Sequence, residues 1–355
     1  MHKKLFIPGP TEVVKEVREA MACEMIGHRM KEFTELYNQV IPKLQQVLYT
    51  KNRVLLFTSS ATGCMESVVR NLSNKKILSC MCGAFSDRWY DIAVANGKKA
   101  DPLKVEWGYA IKPEMIDEKL KTGEYDLVTL VHNETSTGVK NPIEEIAEVM
   151  KKYPDVIFAV DAVSSLTGYK IDVDALGIDI ILAGVQKCFA LPPGLAVMTV
   201  SQKAAEKAKT VENRGYYFDI VDMLKYDEKG QTPSTPSIPH INALKVQLDR
   251  MLAEGMENRF ARHKKMADMI FDWAKEKGIE TFPEKGYESW TVVTLKNNKN
   301  FNLSDLNKEL GKRGKTISNG YGKLKDITFR IAAMGDLMPS DIKELLDDIN
   351  DILKI

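Results

Sequence analysis

The sequence contains few cysteines, and their spacing does not match a disulfide framework or a zinc site. Its 355 residues include five cysteines, at positions 23, 64, 80, 82 and 188, with no C-x-x-C pair and no Cys/His cluster. The odd number and these spacings argue against a disulfide-stabilised fold and against a structural zinc site. We therefore expect reduced thiols, no bound metal, and a packing role for Cys188.

The sequence also lacks an excess of either charge and lacks long apolar runs. Fifty basic and 49 acidic residues give a formal net charge of +1, so no global field favours nucleic acid or an anionic membrane. No stretch approaches the roughly 20 apolar residues of a membrane span. The opening MHKKLFIPGPTE reaches proline too early to form a signal peptide. These absences predict a soluble, cytoplasmic protein without a nucleic-acid or membrane partner.

Short apolar runs alternate with helical patterns between about residues 50 and 200. Buried strands are predicted at 54–57, 76–81, 126–131, 156–160, 179–183 and 195–200. Amphipathic segments separate several of them, such as 142–153, where Ile143, Ile146, Ala147 and Met150 form one stripe. The alternation predicts an α/β fold whose mainly parallel sheet is covered by helices on both faces.

The remaining regions show other patterns. A long helix kinked at Pro42 is predicted over 30–48, and an ordered loop is predicted over the Tyr-, Thr-, Pro- and Ser-rich residues 210–240. From about residue 260, the order helix, strand, helix, strand, helix predicts a smaller α+β domain. The basic cluster 262–265 lies in the first of these helices and is predicted to be a solvated face.

Polar residues follow the predicted strands at the points where the strands end. Thr58–Gly63 follow the first strand, His132–Gly138 follow the third, Asp161 follows the fourth, and Lys187 closes the GVQK segment after the fifth. Ligands of parallel sheets bind outside the carboxyl ends of the strands. We therefore expect these residues to converge on one cleft.

Taken singly, each of these residues has two interpretations. Thr58–Gly63 could cradle a phosphate or be a plain capped turn, and it matches neither common nucleotide-binding loop. Asp161 could bind a cation or cap a helix, and Lys187 could be a Schiff-base lysine or extend to water. Together they match the needs of pyridoxal phosphate, which requires an amine, a carboxylate and a helix N-terminus.

With these residues in place, the sequence resembles the class V aminotransferases of the type I pyridoxal-phosphate fold, and most of all their alanine–glyoxylate and serine–pyruvate branch. The resemblance covers nearly the whole chain through these segments: PGPT (8–11), TSSATGCMES (58–67), GAFSDRW (83–89), HNETSTGV (132–139), VDAVSSL (160–166), GVQKCFALPPG (184–194), TPSTP (232–236) and FRIAAMG (329–335). Their order and spacing together are far more specific than any one segment.

The resemblance implies a domain division and a role for each matching residue. It implies an N-terminal segment lining the active site (1–16), a cofactor-binding large domain (17–255) and a small domain (256–355). Lys187 would form the internal aldimine and shuttle a proton, Asp161 would pair with the ring nitrogen, and Arg330 would bind the substrate carboxylate. Further implied contacts are stacking by Phe85, packing by Val163, a hydroxyl at Thr135, phosphate contacts from Ser60, Ala61, Thr62 and Gln186, phosphate contacts from Thr232 and Thr235 across a homodimer, and a substrate-pocket wall at Gly9.

The sequence departs from the family pattern in three places. Ser59 and Ala61 stand where glycines are common, and Phe85 stands where some members have tryptophan. No tyrosine accompanies Thr232–Thr235 at the phosphate position of the partner subunit. The first departure weakens the expectation of backbone contacts to the phosphate, and Phe85 should keep the stacking but lose a donor N–H.

The resemblance predicts ping-pong transfer of the amino group of serine or alanine to glyoxylate or pyruvate. The alternative is a phosphoserine aminotransferase, because His28 and Arg29 resemble a pair that binds the substrate phosphate across the dimer; the same pair could equally mark a helix start or an interface. A cysteine desulfurase is disfavoured because Gln186 replaces the usual histidine and no cysteine follows Cys188. A non-catalytic dimer would have lost the lysine, the acid or the arginine, and all three are present.

Overall fold

The computed structural model describes residues 2–355, which form thirteen strands, twelve α-helices and one 3-10 turn. The strands are β1 (Lys4–Phe6), β2 (Arg53–Phe57), β3 (Ile77–Met81), β4 (Ala100–Lys104), β5 (Leu127–Val131), β6 (Asn133–Glu134), β7 (Val139–Lys140), β8 (Ile157–Asp161), β9 (Ile180–Gly184), β10 (Ala196–Val200), β11 (Val292–Lys296), β12 (Lys315–Asn319) and β13 (Thr328–Ala332). The helices are α1 (Lys15–Ala20), α2 (Lys31–Val47), α3 (Ala61–Asn71), α4 (Ala84–Ala95), α5 (Pro113–Leu120), α6 (Ile143–Met150), α7 (Gln202–Lys209), α8 (Ile220–Asp227), α9 (Ile238–Glu254), α10 (Met256–Glu276), α11 (Leu303–Lys312) and α12 (Pro339–Leu353). Within residues 2–355, no helix combines the length and the apolar content needed to traverse a bilayer.

The larger sheet has seven strands in the order β2-β10-β9-β8-β5-β3-β4. Only β10 runs antiparallel to its neighbours, so the other six strands point the same way. Alternate residues of β5 face two different cores, Val128 with α2, α5, α6 and α9 and Leu127 with α3, α4, α7 and α8. Because both faces are covered, the central strands are buried throughout and mostly apolar. The α/β fold and all six predicted strands are confirmed.

Strand β4 is the part of this sheet that the sequence pattern missed. Its sequence ADPLK contains a proline and two charged residues, and its side chains are only partly buried or exposed. It pairs with β3 alone, at the edge of the sheet, where proline is tolerated because no neighbour needs its N–H. An edge strand therefore lacks the apolar run that marks the central ones.

The smaller sheet has the order β1-β12-β13-β11 and packs against α10, α11 and α12 around its own core. Strand β12 (KTISN) was also missed, because only Ile317 of its five residues is buried. The N-terminal strand β1 pairs in parallel with β12, so the chain begins in the smaller sheet before it enters the larger unit. The division at residues 16 and 255 remains a prediction.

Two expectations from the sequence are wrong. Residues 210–240 are not a continuous loop, because they contain α8, whose N-terminus is capped by the Asp219 carboxylate accepting from the N–H of Val221 at 2.9 Å. Its two turns are too short to show periodicity among the flanking tyrosines. In the basic cluster of α10, only Lys264 and Lys265 are exposed. Arg262 pairs with Glu254, and His263 is fully buried.

Candidate active site

The polar strand ends converge on one cavity of about 250 Å³ at the carboxyl edge of the larger sheet. Of the residues that the sequence nominated, those that line the cavity are Ser60, Ala61, Thr62, Phe85, Thr135, Asp161, Val163, Gln186 and Lys187. They come from five separate strand ends and the helices that follow them, brought together because the six co-directional strands end at one edge.

Lys187 places its amine inside this cavity. The side chain is 6 % exposed, and Nζ donates to Ser164 Oγ at 2.9 Å and to Thr135 Oγ1 at 3.1 Å. No carboxylate within residues 2–355 forms an ion pair with it. Burial lowers the pKa of Lys187 to about 8; the Asp161 charge opposes this shift and the Arg330 charge adds to it. The amine is therefore held by neutral hydroxyls and loses its proton readily.

The backbone around Lys187 is anchored by residues distant in sequence. Thr11 Oγ1 donates to the carbonyl of Lys187 at 2.9 Å, and the buried guanidinium of Arg259 donates to the carbonyl of Cys188 at 2.7 Å. Gly9 packs directly on the lysine stem, where a Cβ would lie 3.0 Å from Lys187 Cε. Its φ of +93° also favours glycine, so this position admits no side chain without strain.

Asp161 is the last residue of β8 and faces the cavity with little to neutralise it. The side chain is 5 % exposed, and one oxygen accepts from the N–H of Val163 at 2.8 Å. Burial raises the pKa of Asp161 to about 6, against smaller lowering effects of that hydrogen bond and of Lys187. A buried carboxylate with an open side suits a cationic or N–H partner supplied from the cavity.

Helix α3 begins at this cavity with an uncapped N-terminus. Ser60 is the N-cap in extended conformation, but its side chain accepts no hydrogen bond from the first turn. The free N–H groups of Ala61 and Thr62 and the positive end of the helix dipole make this end suited to an anion. Gln186, on the strand side of the lysine, lines the same corner.

Helix α4 supplies the aromatic wall. The Phe85 ring centroid lies 5.4 Å from Lys187 Nζ and 5.3 Å from the ring of Tyr321. The buried carboxylate of Glu134 accepts from the backbone N–H of Ser86 at 2.9 Å and of Phe85 at 3.3 Å. This contact fixes the first turn of α4 and hence the place of the ring.

Arg330, on β13 of the smaller sheet, reaches toward the same region. Its Nε donates to the carbonyl of Asn319 at 3.1 Å and Nη1 to the carbonyl of Thr135 at 3.0 Å. Burial lowers the pKa of Arg330 to about 10, while Tyr321 and Glu134 oppose the shift. The guanidinium stays cationic at neutral pH and carries no carboxylate partner among residues 2–355.

Six nominated residues do not line the cavity. Gly9 and Arg330 contact its lining residues Lys187 and Thr135, whereas His28, Arg29, Thr232 and Thr235 lie apart from it. Thr232 and Thr235 line a separate hollow with Tyr217 and Phe218. The Arg29 guanidinium donates to the carbonyls of Thr232 at 2.6 Å and Pro233 at 2.7 Å. The preceding residue, His28, is partly buried. Their expected sites of action lie across a dimer interface, so their roles remain predictions.

Several residues at the site were not singled out from the sequence. Arg88 and Asn133 line the cavity, and Ser164 holds the lysine amine. A signal existed for Arg88, because it stands three residues after Phe85 and so shares its helix face. Ser164 lies within the VDAVSSL segment, but nothing in the sequence distinguishes it from its neighbours.

Comparison with known proteins places the chain in a family. A family model described as aminotransferase class-V matches residues 8–326. An uncharacterised aminotransferase of Methanocaldococcus jannaschii is 42 % identical over 94 % of this chain and 88 % of its own length. An L-aspartate–glyoxylate aminotransferase of Paracoccus denitrificans is 33 % identical and a serine–glyoxylate aminotransferase of Methylorubrum extorquens 32 % identical, each over 94 % of this chain and 86 % of its own length.

Solved structures agree with this assignment. An alanine–glyoxylate aminotransferase from Nostoc sp. superimposes with a TM-score of 0.93 at 26 % identity, covering 99 % of this chain and 96 % of that one. The chain therefore belongs to the class-V aminotransferases, a family of pyridoxal-phosphate-dependent enzymes. The resemblance read from the sequence is confirmed, and so is the prediction of an aminotransferase.

Proposed function

We propose that the protein uses pyridoxal phosphate to transfer the amino group of a small amino acid, serine or alanine, to glyoxylate or pyruvate. The observation that carries the proposal is the placement of the Lys187 amine and the Asp161 carboxylate on one cavity of about 250 Å³. Glyoxylate appears in the names of the P. denitrificans, M. extorquens and Nostoc relatives, while their amino donors differ. The acceptor is thus better supported than the donor.

The residues present fit pyridoxal phosphate at three points. Lys187 offers an amine of lowered pKa, Asp161 offers a carboxylate open to a ring N–H, and the start of α3 offers N–H groups to a phosphate. Asn133 Oδ1 is buried at the cavity without a hydrogen-bond partner. A buried acceptor without a protein donor is costly, and it is expected where a ligand donates to it.

When bound, the cofactor supplies an aldehyde that reacts with amines and a ring that accepts electrons. Lys187 would act through its free base, and a pKa near 8 makes that form roughly 300-fold more abundant at pH 7 than an ordinary lysine pKa would. Ser164 and Thr135 hold Nζ in place while it takes up and releases a proton. Asp161 would keep a proton on the ring nitrogen.

The substrate would be oriented by groups from two parts of the chain. Arg330 has Nη2 free of hydrogen bonds to residues 2–355, so its guanidinium can still bind a carboxylate. The Gly9–Thr11 segment covers the lysine stem from the other side and excludes water there. A small amino acid would therefore lie between the arginine and the N-terminal segment.

The phosphoserine alternative has less support. It requires Arg29 as an anion ligand, but two nitrogens of that guanidinium already donate to the carbonyls of Thr232 and Pro233. The centroid of the Tyr226 ring lies 4.8 Å from Arg29 Cζ, and this cation–π contact also holds the guanidinium in place. Arg29 thus stabilises the 231–233 loop of its own chain. Binding a substrate phosphate would require these hydrogen bonds to break.

The proposal includes assembly and location. We expect a cytoplasmic homodimer in which Thr232 and Thr235 of each chain reach the cofactor phosphate of the other. The support is that these residues lie apart from the cavity of their own chain while matching family positions. Light scattering of the purified protein should give a mass near 80 kDa, twice the 40.0 kDa of the chain.

A set of half-reactions tests the proposed chemistry. The protein is loaded with pyridoxal phosphate and mixed with serine, alanine, aspartate or phosphoserine, each without an oxo acid, while cofactor absorbance is followed. We expect serine or alanine to change the spectrum and glyoxylate or pyruvate to restore it. A spectral response to aspartate alone would contradict the proposed donor, and a response to phosphoserine alone would favour the alternative.

Two variants complete this experiment. Lys187→Ala removes the amine and should abolish transfer, because no other lysine of residues 2–355 lines the cavity. Lys265→Ala is the matched control, since Lys265 is exposed on α10 and does not line the cavity, and it should react as the wild type does. Transfer at an unchanged rate by the Lys187→Ala variant would refute the proposal.

A further inference from the structure

Arg88 is a charged group in the cavity that the roles above leave unused. It lies on α4 one turn after Phe85, lines the cavity, and has its Cζ 5.0 Å from the centroid of that ring. Its Nη1 donates to Thr62 Oγ1 at 3.2 Å. The guanidinium therefore bridges the aromatic wall and the uncapped start of α3.

The charge of Arg88 has no carboxylate partner among residues 2–355. Within residues 2–355, it makes no ion pair with a carboxylate, and the bond to Thr62 is its one side-chain hydrogen bond. The cavity is lined by two cations, Arg88 and Lys187, and by one acid, Asp161. The uncapped N-terminus of α3 adds further positive potential at the Thr62 side. This corner therefore has positive charge in excess and favours an anion.

From this arrangement we infer that Arg88 is a phosphate-binding residue, whose guanidinium holds the phosphate of the cofactor together with the first N–H groups of α3. The inference rests on the proposed function. Lys187 would hold the aldehyde end of the cofactor and Asp161 its ring nitrogen, which leaves the Ser60–Thr62 corner for its phosphate. A planar guanidinium with unused N–H donors can bind two phosphate oxygens at once.

Arg88 also compensates for a departure of this sequence from its family. Ser59 and Ala61 stand at positions where glycine is common, and no tyrosine accompanies Thr232. The Arg88 guanidinium, which contacts the first turn of α3, would supply a phosphate contact that these positions do not. Phe85 and Arg88 lie side by side on α4, so the ring would pack against the cofactor while the guanidinium would hold its phosphate.

The test compares two forms of the cofactor that differ only in the phosphate. Apoprotein is titrated with pyridoxal phosphate and with pyridoxal, and dissociation constants are read from tryptophan fluorescence. In the Arg88→Gln variant, we expect affinity for pyridoxal phosphate to fall roughly tenfold to hundredfold, the range for a lost charge-assisted hydrogen bond. Affinity for pyridoxal should stay within about twofold of the wild type, and Arg88→Lys should recover part of the loss.

The outcomes separate this inference from the proposed function. Equal weakening of both compounds would show a structural role for Arg88 and overturn the inference alone. Unchanged affinity for both, with a raised KM for the amino donor, would assign Arg88 to the substrate carboxylate and overturn it as well. Failure of the wild-type chain to bind either compound would overturn the proposed function and the inference with it. Arg313→Gln, directly after α11 and outside the cavity lining, is the matched control and should bind both compounds normally.

Discussion

Two buried aspartates lie at opposite ends of neighbouring parallel strands in the larger sheet, one at the amino ends and one at the carboxyl ends. Their surroundings are opposite in kind. Asp126 immediately precedes β5 and Asp161 ends β8, and because these strands are parallel neighbours, the two carboxylates lie at the amino and carboxyl edges. Asp126 is 4 % exposed and Asp161 5 %, so burial alone does not distinguish them. What differs is the number of groups that donate to each carboxylate.

The carboxylate at the amino edge is fully satisfied by its own chain. Asp126 accepts from Lys207 Nζ at 2.7 Å, from Ser73 Oγ at 2.8 Å, and from the backbone N–H of Asn74 at 2.8 Å. Burial tends to raise the pKa of Asp126, but these donors outweigh it and hold the pKa below its ordinary value. The protein itself therefore stabilises the charged form of the Asp126 carboxylate.

Among the described residues, the Asp161 carboxylate has a single donor, the N–H of Val163, and its pKa is raised to about 6 mainly by burial. We propose from this contrast that Asp126 has a structural role and that Asp161 has a ligand-binding role. A buried charge whose donors all come from the protein stabilises the fold, whereas one left open requires a ligand to complete it. This difference leads to the three predictions that follow, ordered from the largest expected effect to the smallest.

Removing the open carboxylate should have the largest effect on activity. In Asp161→Asn, the amide cannot hold a proton on the ring nitrogen, so we expect the rate of amino transfer to fall by about a hundredfold to ten-thousandfold, the range for lost general acid–base and electrostatic assistance. The measurement is kcat/KM with serine or alanine and glyoxylate. Asp126→Asn is the matched control at the other edge, and the folded protein should keep kcat/KM within about threefold of the wild type.

Removing the satisfied carboxylate should instead affect stability. Asp126→Asn leaves the Lys207 ammonium and a backbone N–H without their acceptor, and we expect a loss of about 2–4 kcal/mol in the free energy of unfolding. Urea unfolding followed by circular dichroism would measure it. Asp161→Asn, measured without added cofactor, should unfold at the same urea concentration as the wild type or a higher one. If Asp161→Asn were the less stable variant, the contrast between the edges would be wrong.

The two carboxylates should also give opposite dependences of stability on pH. Asp161 has a folded-state pKa near 6, above its unfolded value, so between about pH 4 and 6 the folded state binds the extra proton and stability falls as pH rises. Asp126 has a lowered pKa, so its contribution is present above pH 4 and is lost as pH falls below that value.

Unfolding at pH 4, 5, 6 and 7 without added cofactor would measure these contributions. The stability difference between the wild type and Asp161→Asn should change by about 2–3 kcal/mol over this range and then level off. The difference between the wild type and Asp126→Asn should stay nearly constant above pH 5. A flat difference for Asp161→Asn would mean that its carboxylate is better hydrated than its burial indicates.

Much of the site follows from the sequence because parallel strands impose a simple rule. Asp161, Lys187 and Thr62 each stand just after an apolar run, and six strands with one direction bring their ends to one edge. Strand β4 and helix α8 escaped detection because an edge strand carries polar residues and a helix of two turns shows little periodicity. The pattern of apolar residues reports burial, and these elements are only partly buried.

Side-chain partnerships could not be predicted in the same way. Ser164 contacts the lysine amine, and Arg259 contacts the carbonyl of Cys188, through turns of the chain whose geometry no local pattern encodes. The satisfied state of Asp126 depends on Lys207, which is 81 residues away. The contacts of Thr232 and Thr235 are harder still to predict from one sequence, because their proposed phosphate ligand lies in a second chain.

The most direct test of the account is to identify which lysine carries the cofactor. Protein loaded with pyridoxal phosphate is reduced with borohydride, digested, and analysed by mass spectrometry. We expect a phosphopyridoxyl group on the peptide that contains Lys187, at close to one per chain, and no comparable labelling of any other lysine. Labelling spread over surface lysines, or concentrated on a residue other than Lys187, would contradict the claim that this buried amine is the reactive group of the protein.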